Sequence, residues 1–178
     1  MEAHIQRRRS AKSFLKDQKM CQLNFTKLYG DIKASIKNYG LLVMATPEFS
    51  YSIGNAYHGL PEIVVMTSKY KTAHQLINMA HTHWKKNGIK LGVNTELIQD
   101  QKGNPLPVFF EEVALTPKIE DEIIVQALNF YKANPEYQKR QLAIVQMFFP
   151  DETGRLPHED GFNIEFEQPR LREHNTSK

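Results

Sequence analysis

The sequence predicts an α+β domain, with a mixed or largely antiparallel sheet packed against about three helices. Three observations lead there. Apolar residues recur at three- and four-residue spacing in three separate stretches, which is helical periodicity. Short β-branched and aromatic runs lie between these stretches in groups, not in strict strand–helix alternation. No repeat and no low-complexity linker divides the 178 residues, a length that buries a core without disulfide or metal staples.

Residues 1–22 are polar and basic and read as an N-terminal arm, followed by one domain over 23–169 and a flexible tail over 170–178. From Asn24, a reasonable N-cap, the residues Phe25, Leu28, Tyr29, Ile32, Ile36 and Tyr39 mark a helix that Gly40 stops. Leu41–Thr46 reads as a short apolar strand. Pro47 turns the chain into a second strand, in which Phe49, Tyr51 and Ile53 alternate with Ser50, Ser52 and Gly54 as a half-buried face. After a loop at Asn55–Pro61, Glu62–Met66 predicts a third strand, buried on both faces.

Ser68 is the expected cap of a long helix to about Asn87, with Ala73, Leu76, Ile77, Ala80 and Trp84 on its stripe and Gly88 as its stop. Two short strands around Lys90–Val93 and Glu96–Gln99, a turn at Asp100–Asn104 and a strand at Val108–Leu115 follow. Thr116 and Pro117 open the next helix, whose first turns hold Glu120, Asp121 and Glu122 where the dipole favours them. Asn134-Pro135 ends it. Gln141–Phe149 is the most apolar strand and the expected centre of the sheet; Phe162–Phe166 is a further strand candidate, and Gln168 onward reads as tail.

Bulk properties narrow the function. The single Cys21 has no internal partner, which suits a reducing, cytoplasmic compartment. The apolar runs are too short to span a bilayer, and Arg7-Arg8-Arg9 has no apolar stretch behind it to form a secretory signal. The net charge is only +3, and the basic arm lacks aromatic interleaving, so nucleic acid is not the expected partner. Gly-x-Ser-x-Gly, GxGxxG, Walker and His-Glu-x-x-His patterns are all missing. His74, His81 and His83 on the long helix lack completing ligands and read as surface or boundary residues. No cofactor and no metal is expected.

Two loops remain. One runs from Gly54 to Glu62 beyond Tyr51; the other, Asp151–Gly161, is fixed by Pro150, Gly154, Pro157 and Gly161 and carries Arg155, His158 and Glu159. If their strands are neighbours, His58, Glu62, Asp151, His158 and Glu159 converge, and a histidine beside carboxylates serves acid–base chemistry or cation binding. The plainer reading is that Glu62 and Asp151 accept hydrogen bonds from loop N–H groups.

Phe49-Ser50-Tyr51-Ser52-Ile53-Gly54, Gly59-Leu60-Pro61-Glu62-Ile63 and the series Gln141-Leu142, Pro150-Asp151, Gly154-Arg155-Leu156-Pro157, Gly161-Phe162 and Gln168-Pro169 occur in one order. That order resembles the bacterial family called domain of unknown function 4262, over about residues 38–172. His158 stands where the family usually has Trp, and Asn55 where it has an apolar residue. The resemblance implies this fold and this choice of loops. A binding domain facing a protein partner, with a regulatory or toxin- or defence-neutralising role, is the expected function. An enzyme acting on a nucleotide or small polar substrate is the alternative.

Overall fold

The computed structural model describes residues 25–171. A helix over 25–39 (α1) leads into strands β1 (Leu42–Ala45), β2 (Ser50–Ile53) and β3 (Glu62–Val65). Helix α2 (Tyr70–Asn87), strands β4 (Gly92–Gln99) and β5 (Pro105–Val113), helix α3 (Val125–Ala133) and strand β6 (Ile144–Phe148) complete the order. The six strands form one sheet, β1-β2-β3-β6-β5-β4, antiparallel throughout except for the parallel pair β3–β6. The fold is α+β in a single domain, as the grouping of strands predicted.

Helices cover both faces of the sheet. On one, Ile32 and Ile36 of α1 and Ala127, Phe130 and Tyr131 of α3 pack on Tyr51, Ile53, Val64 and Ile144. On the other, Ala73, Leu76, Ile77, Ala80 and Trp84 of α2 meet Ile63, Val65, Phe110, Val145 and Met147. The alternation of Ile63 and Val65 with Val64 thus divides between two cores, and β3 and β6 are buried on both sides because both sides are apolar. Trp84 and Phe110 lie ring to ring, with centroids 4.8 Å apart.

Helix ends follow local chemistry. The Gly40 N–H donates to Ile36 O from a left-handed φ of 93°. Thr116 Oγ1 accepts from Ile119 N at the start of the helical run that begins at Pro117 and passes through a π turn at Ile119–Ile123. The turn at Asp100–Asn104 closes as expected, with Asp100 Oδ1 taking the N–H groups of Lys102 and Asn104.

Several expectations are corrected. Strand β2 is buried on both faces, not half-buried: Ser50 and Ser52 face protein, not water. Ser68 does not cap α2; Lys69 holds that position with no side-chain cap, and Thr67 Oγ1 accepts the Lys69 N–H. The two short strands at 90–99 are one strand, whose pairing with β5 shifts between Asn94 and Ile98. Residues 164–166 form a 3-10 turn and pair with no strand.

The chain is docked to Leu171, past the expected start of the tail. Phe149 N donates to Gln168 Oε1 and Gln168 Nε2 to Phe149 O, while Gln146 binds Pro169 O and Leu171 N. Two buried glutamine amides do the work of a strand ladder here. The basic arm and the Asn24 cap lie outside the described residues.

Candidate functional site

The parallel pairing of β3 with β6 decides where the two loops go. Glu62 opens β3 opposite Ile144, the first residue of β6, so Asp151 lies beyond the far end of β6. The strand between them alone runs about 13 Å. The loops therefore occupy opposite ends of the sheet, and His58 and Glu62 do not converge with Asp151, His158 and Glu159. The expected joint patch does not exist, because the strand that brings Gly54 to one end runs antiparallel to the one that carries Phe149 to the other.

At the far end Asp151, Arg155, His158 and Glu159 do share a loop, and the plainer reading holds there. Asp151 Oδ1 accepts from Thr153 N (2.8 Å), Thr153 Oγ1 (2.7 Å) and Arg155 N (3.0 Å), and Oδ2 from Asn163 N (2.9 Å). Burial pushes the Asp151 carboxyl up, but the N–H of Asn163, the Thr153 hydroxyl and the N–H groups of Arg155 and Thr153 outweigh it, and its pKa falls to about 2. Glu159 accepts the Leu156 N–H, Arg155 Nη1 donates to Gly161 O, and the His158 ring packs on Phe109 with centroids 5.4 Å apart.

A folded pKa below the ordinary 3.8 means that Asp151 contributes stability above that pH, which is lost as pH falls toward 2. Asp151→Asn is expected to remove this acid dependence and to speed amide exchange at Thr153, Arg155 and Asn163 roughly tenfold, with the sheet amides unchanged. Native-state hydrogen exchange checks it.

At the other end the residues Tyr51, Gly54, His58 and Glu62 are brought together, and around them stand residues that sequence reasoning missed. Glu62 is fully buried. Its Oε2 accepts the Ser52 hydroxyl at 2.5 Å; its Oε1 accepts Ala56 N (3.0 Å), Gly54 N (3.2 Å) and the Tyr131 hydroxyl of α3. Ser52 Oγ in turn receives Ile63 N (2.8 Å), filling the place where the β2–β3 ladder opens beyond Tyr51 and Val64. Tyr131 also receives Gly54 N at 2.7 Å. Burial raises the Glu62 pKa and the four donors oppose it without cancelling it. Burial also raises Tyr51, to about 12, with the Glu62 charge adding to it against a backbone hydrogen bond from Gln126.

Next to this carboxylate Asn55, Ala56, Tyr57 and His58 form a 3-10 turn. Asn55 Nδ2 donates to Pro61 O, so its Oδ1 is the acceptor that takes the proton of His81 Nδ1 at 2.6 Å. His81, expected at the surface or the boundary, is buried, only 4% exposed. Its Nε2 has no hydrogen-bond partner among the described residues and faces Gly40, where a Cβ would lie 2.4 Å away. His74, two turns earlier on the same helix, is exposed.

His58 Nε2 donates to Gly40 O at 3.0 Å, and the two imidazoles meet edge to face at 5.2 Å. Burial and then Lys85 lower His58; burial, then His58, then Lys85 bring His81 to about 4. Both rings are therefore neutral at pH 7. A lowered histidine contributes stability above its ordinary 6.5, and that contribution fades as pH drops toward 4. Melting curves between pH 4 and 7 are expected to show this slope in the native chain and a shallower one in His81→Gln.

The outer wall of this corner is basic and aromatic. Lys33 and Lys37 of α1, Tyr57, His58 and Tyr137 line a recess of about 510 Å³. The Lys139 N–H bonds Ala56 O, which holds the 135–140 segment against the 3-10 turn and brings Tyr57 and Tyr137 within 5.4 Å. No group of three or more metal-ligating side chains occurs among the described residues. None of the described helices is long and apolar enough to cross a membrane.

A helix-flanked α+β sheet with a sealed carboxylate under one corner and a basic recess above it defines the class of domain. The profile of the family described as a domain of unknown function (DUF4262) matches residues 35–163, and the chain belongs to that family. No curated protein and no solved structure matches it.

Proposed function

We propose that this is a binding domain, and that the corner built by α1, the 55–58 turn and the start of β3 is where it binds. The observation that carries this reading is Glu62. It is the carboxylate nearest His58 in the loop, yet it is shut off from solvent and engaged by two hydroxyls and two N–H groups of its own chain. A group in that state supports the loop: Oε1 holds three donors and Oε2 one, and burial closes it to a water or a substrate. The recess above it offers cations and aromatic faces, which are recognition chemistry.

A cytoplasmic setting belongs to the same proposal and is supported by the lone Cys21. The test is a thermal-shift screen against a broad metabolite panel, with every stabilising compound recovered and weighed by mass spectrometry. A ligand at a hundred times its dissociation constant stabilises by about 2.7 kcal/mol, well within reach of a melt. Saturable stabilisation with the compound recovered intact is the expected result. Conversion of the compound during incubation would establish an enzyme instead.

A further inference from the structure

We propose that the recess beside α1 takes a phosphorylated planar ring, the chemistry of a nucleotide, with Lys33, Lys37 and Lys139 on the phosphate and Tyr57 under the ring. This rests on the binding-domain reading and names its ligand. Lys33 and Lys37 stand one turn apart on the same helix face, where like charges oppose helix formation unless an anion lies between them. Lys139 Nζ sits 4.4 Å above the Tyr57 ring and Lys33 Nζ 5.5 Å from the Tyr137 ring. Lys85 of α2 adds its field at His58. Against these, among the described residues, Lys33 pairs with the exposed Glu136 at 3.9 Å.

Charge alone would suit any anion; the aromatic floor narrows the class. Tyr57 and Tyr137 are half-buried and inclined by 36°, so their faces are held by the fold and are not free to turn away. A nucleotide exchanges the ammonium over Tyr57 for its own ring and takes the released ammonium on its phosphate. His58, whose Nε2–H is committed to Gly40 O, keeps Nδ1 as an acceptor for an amino or hydroxyl hydrogen of the ligand. The recess volume falls in the range of small-molecule sites.

The experiment is titration of the full chain with AMP, adenosine, inorganic pyrophosphate, a hexa-adenylate RNA and a hexaglutamate peptide, followed by calorimetry and amide NMR. AMP is expected to saturate, to move the Lys33, Tyr57 and His58 resonances, and to bind more weakly as salt rises. Lys33→Glu with Lys37→Glu should weaken it roughly tenfold or more while the remaining spectrum stays native. Tyr57→Leu should weaken AMP but not pyrophosphate. Hexa-adenylate binding more than tenfold tighter than AMP supports the same chemistry and identifies a strand as its source. Binding of hexaglutamate in the recess without AMP sinks the ligand class but leaves the binding domain. Turnover of AMP there keeps the ligand class and ends the binding-domain reading. No saturation by AMP or hexa-adenylate, or saturation indifferent to the lysine variants, overturns the proposal.

Discussion

Glu62→Ala is expected to lower stability by roughly 3–5 kcal/mol, one of the two largest losses foreseen for a single substitution in this chain. Removing the carboxylate strands the Ser52 and Tyr131 hydroxyls and the Ala56 N–H in a site that no water reaches, and leaves Gly54 N with Tyr131 alone. Glu62→Gln keeps one acceptor oxygen for the N–H groups and Tyr131 but sets an amide against Ser52, so about 1–2 kcal/mol is expected. Urea denaturation of the three proteins measures both. The pH dependence separates charge from shape. A glutamate whose folded pKa is raised binds its proton more tightly in the fold, so stability falls as pH rises from the ordinary 4.5 to the raised value. That fall is present in the native chain and absent from Glu62→Gln.

Gly54→Ala is expected to cost about 3 kcal/mol or more, through backbone strain and overlap together. Gly54 has φ 129°, and a Cβ there would stand 2.8 Å from Ile36 Cγ1, 2.9 Å from Gly40 O and 2.9 Å from Leu41 Cα. Two of those atoms are backbone and cannot swing aside. Relief would come only by parting α1 from β2, and the Gly54 N–H would then leave Glu62 and Tyr131. Loss of the Lys33, Tyr57 and His58 resonance positions alongside a lowered melting temperature is the expected signature. Gly59→Ala, where a Cβ meets open space, is the control for φ alone.

Elements with their own periodicity were legible from residues. The stripe Ala73–Trp84 places α2 on its core, Pro47 foretells the β1–β2 hairpin, and the apolar run before Pro150 is the interior strand β6. What escaped depends on partners distant in sequence. Nothing local says that β3 lies parallel to β6, since that pairing joins residues about eighty positions apart through two helices and two strands. Without it the two loops could be drawn together, which is the error the fold corrects.

The same distance hid Tyr131 from Glu62 and His81 from Asn55, although Asn55 and Glu62 both stood inside the loop singled out. Ser50 and Ser52 look like a wet face in sequence because alternation reports polarity, not exposure; Ser52 is buried with Glu62 as its partner, and the Ser50 hydroxyl is buried without one among the described residues. Gln168 escaped for a related reason: a polar residue near a chain end resembles a tail until its amide is seen bridging to Phe149.

A carboxylate buried beneath the proposed binding corner underlies the whole reading, and its own titration is the most direct test. Carbon-detected NMR of the Glu62 side chain from pH 3 to 9 is expected to place its midpoint above 4.5. A midpoint at or below that value would mean that the four donors outweigh burial at Glu62, as they do at Asp151, and would contradict the account.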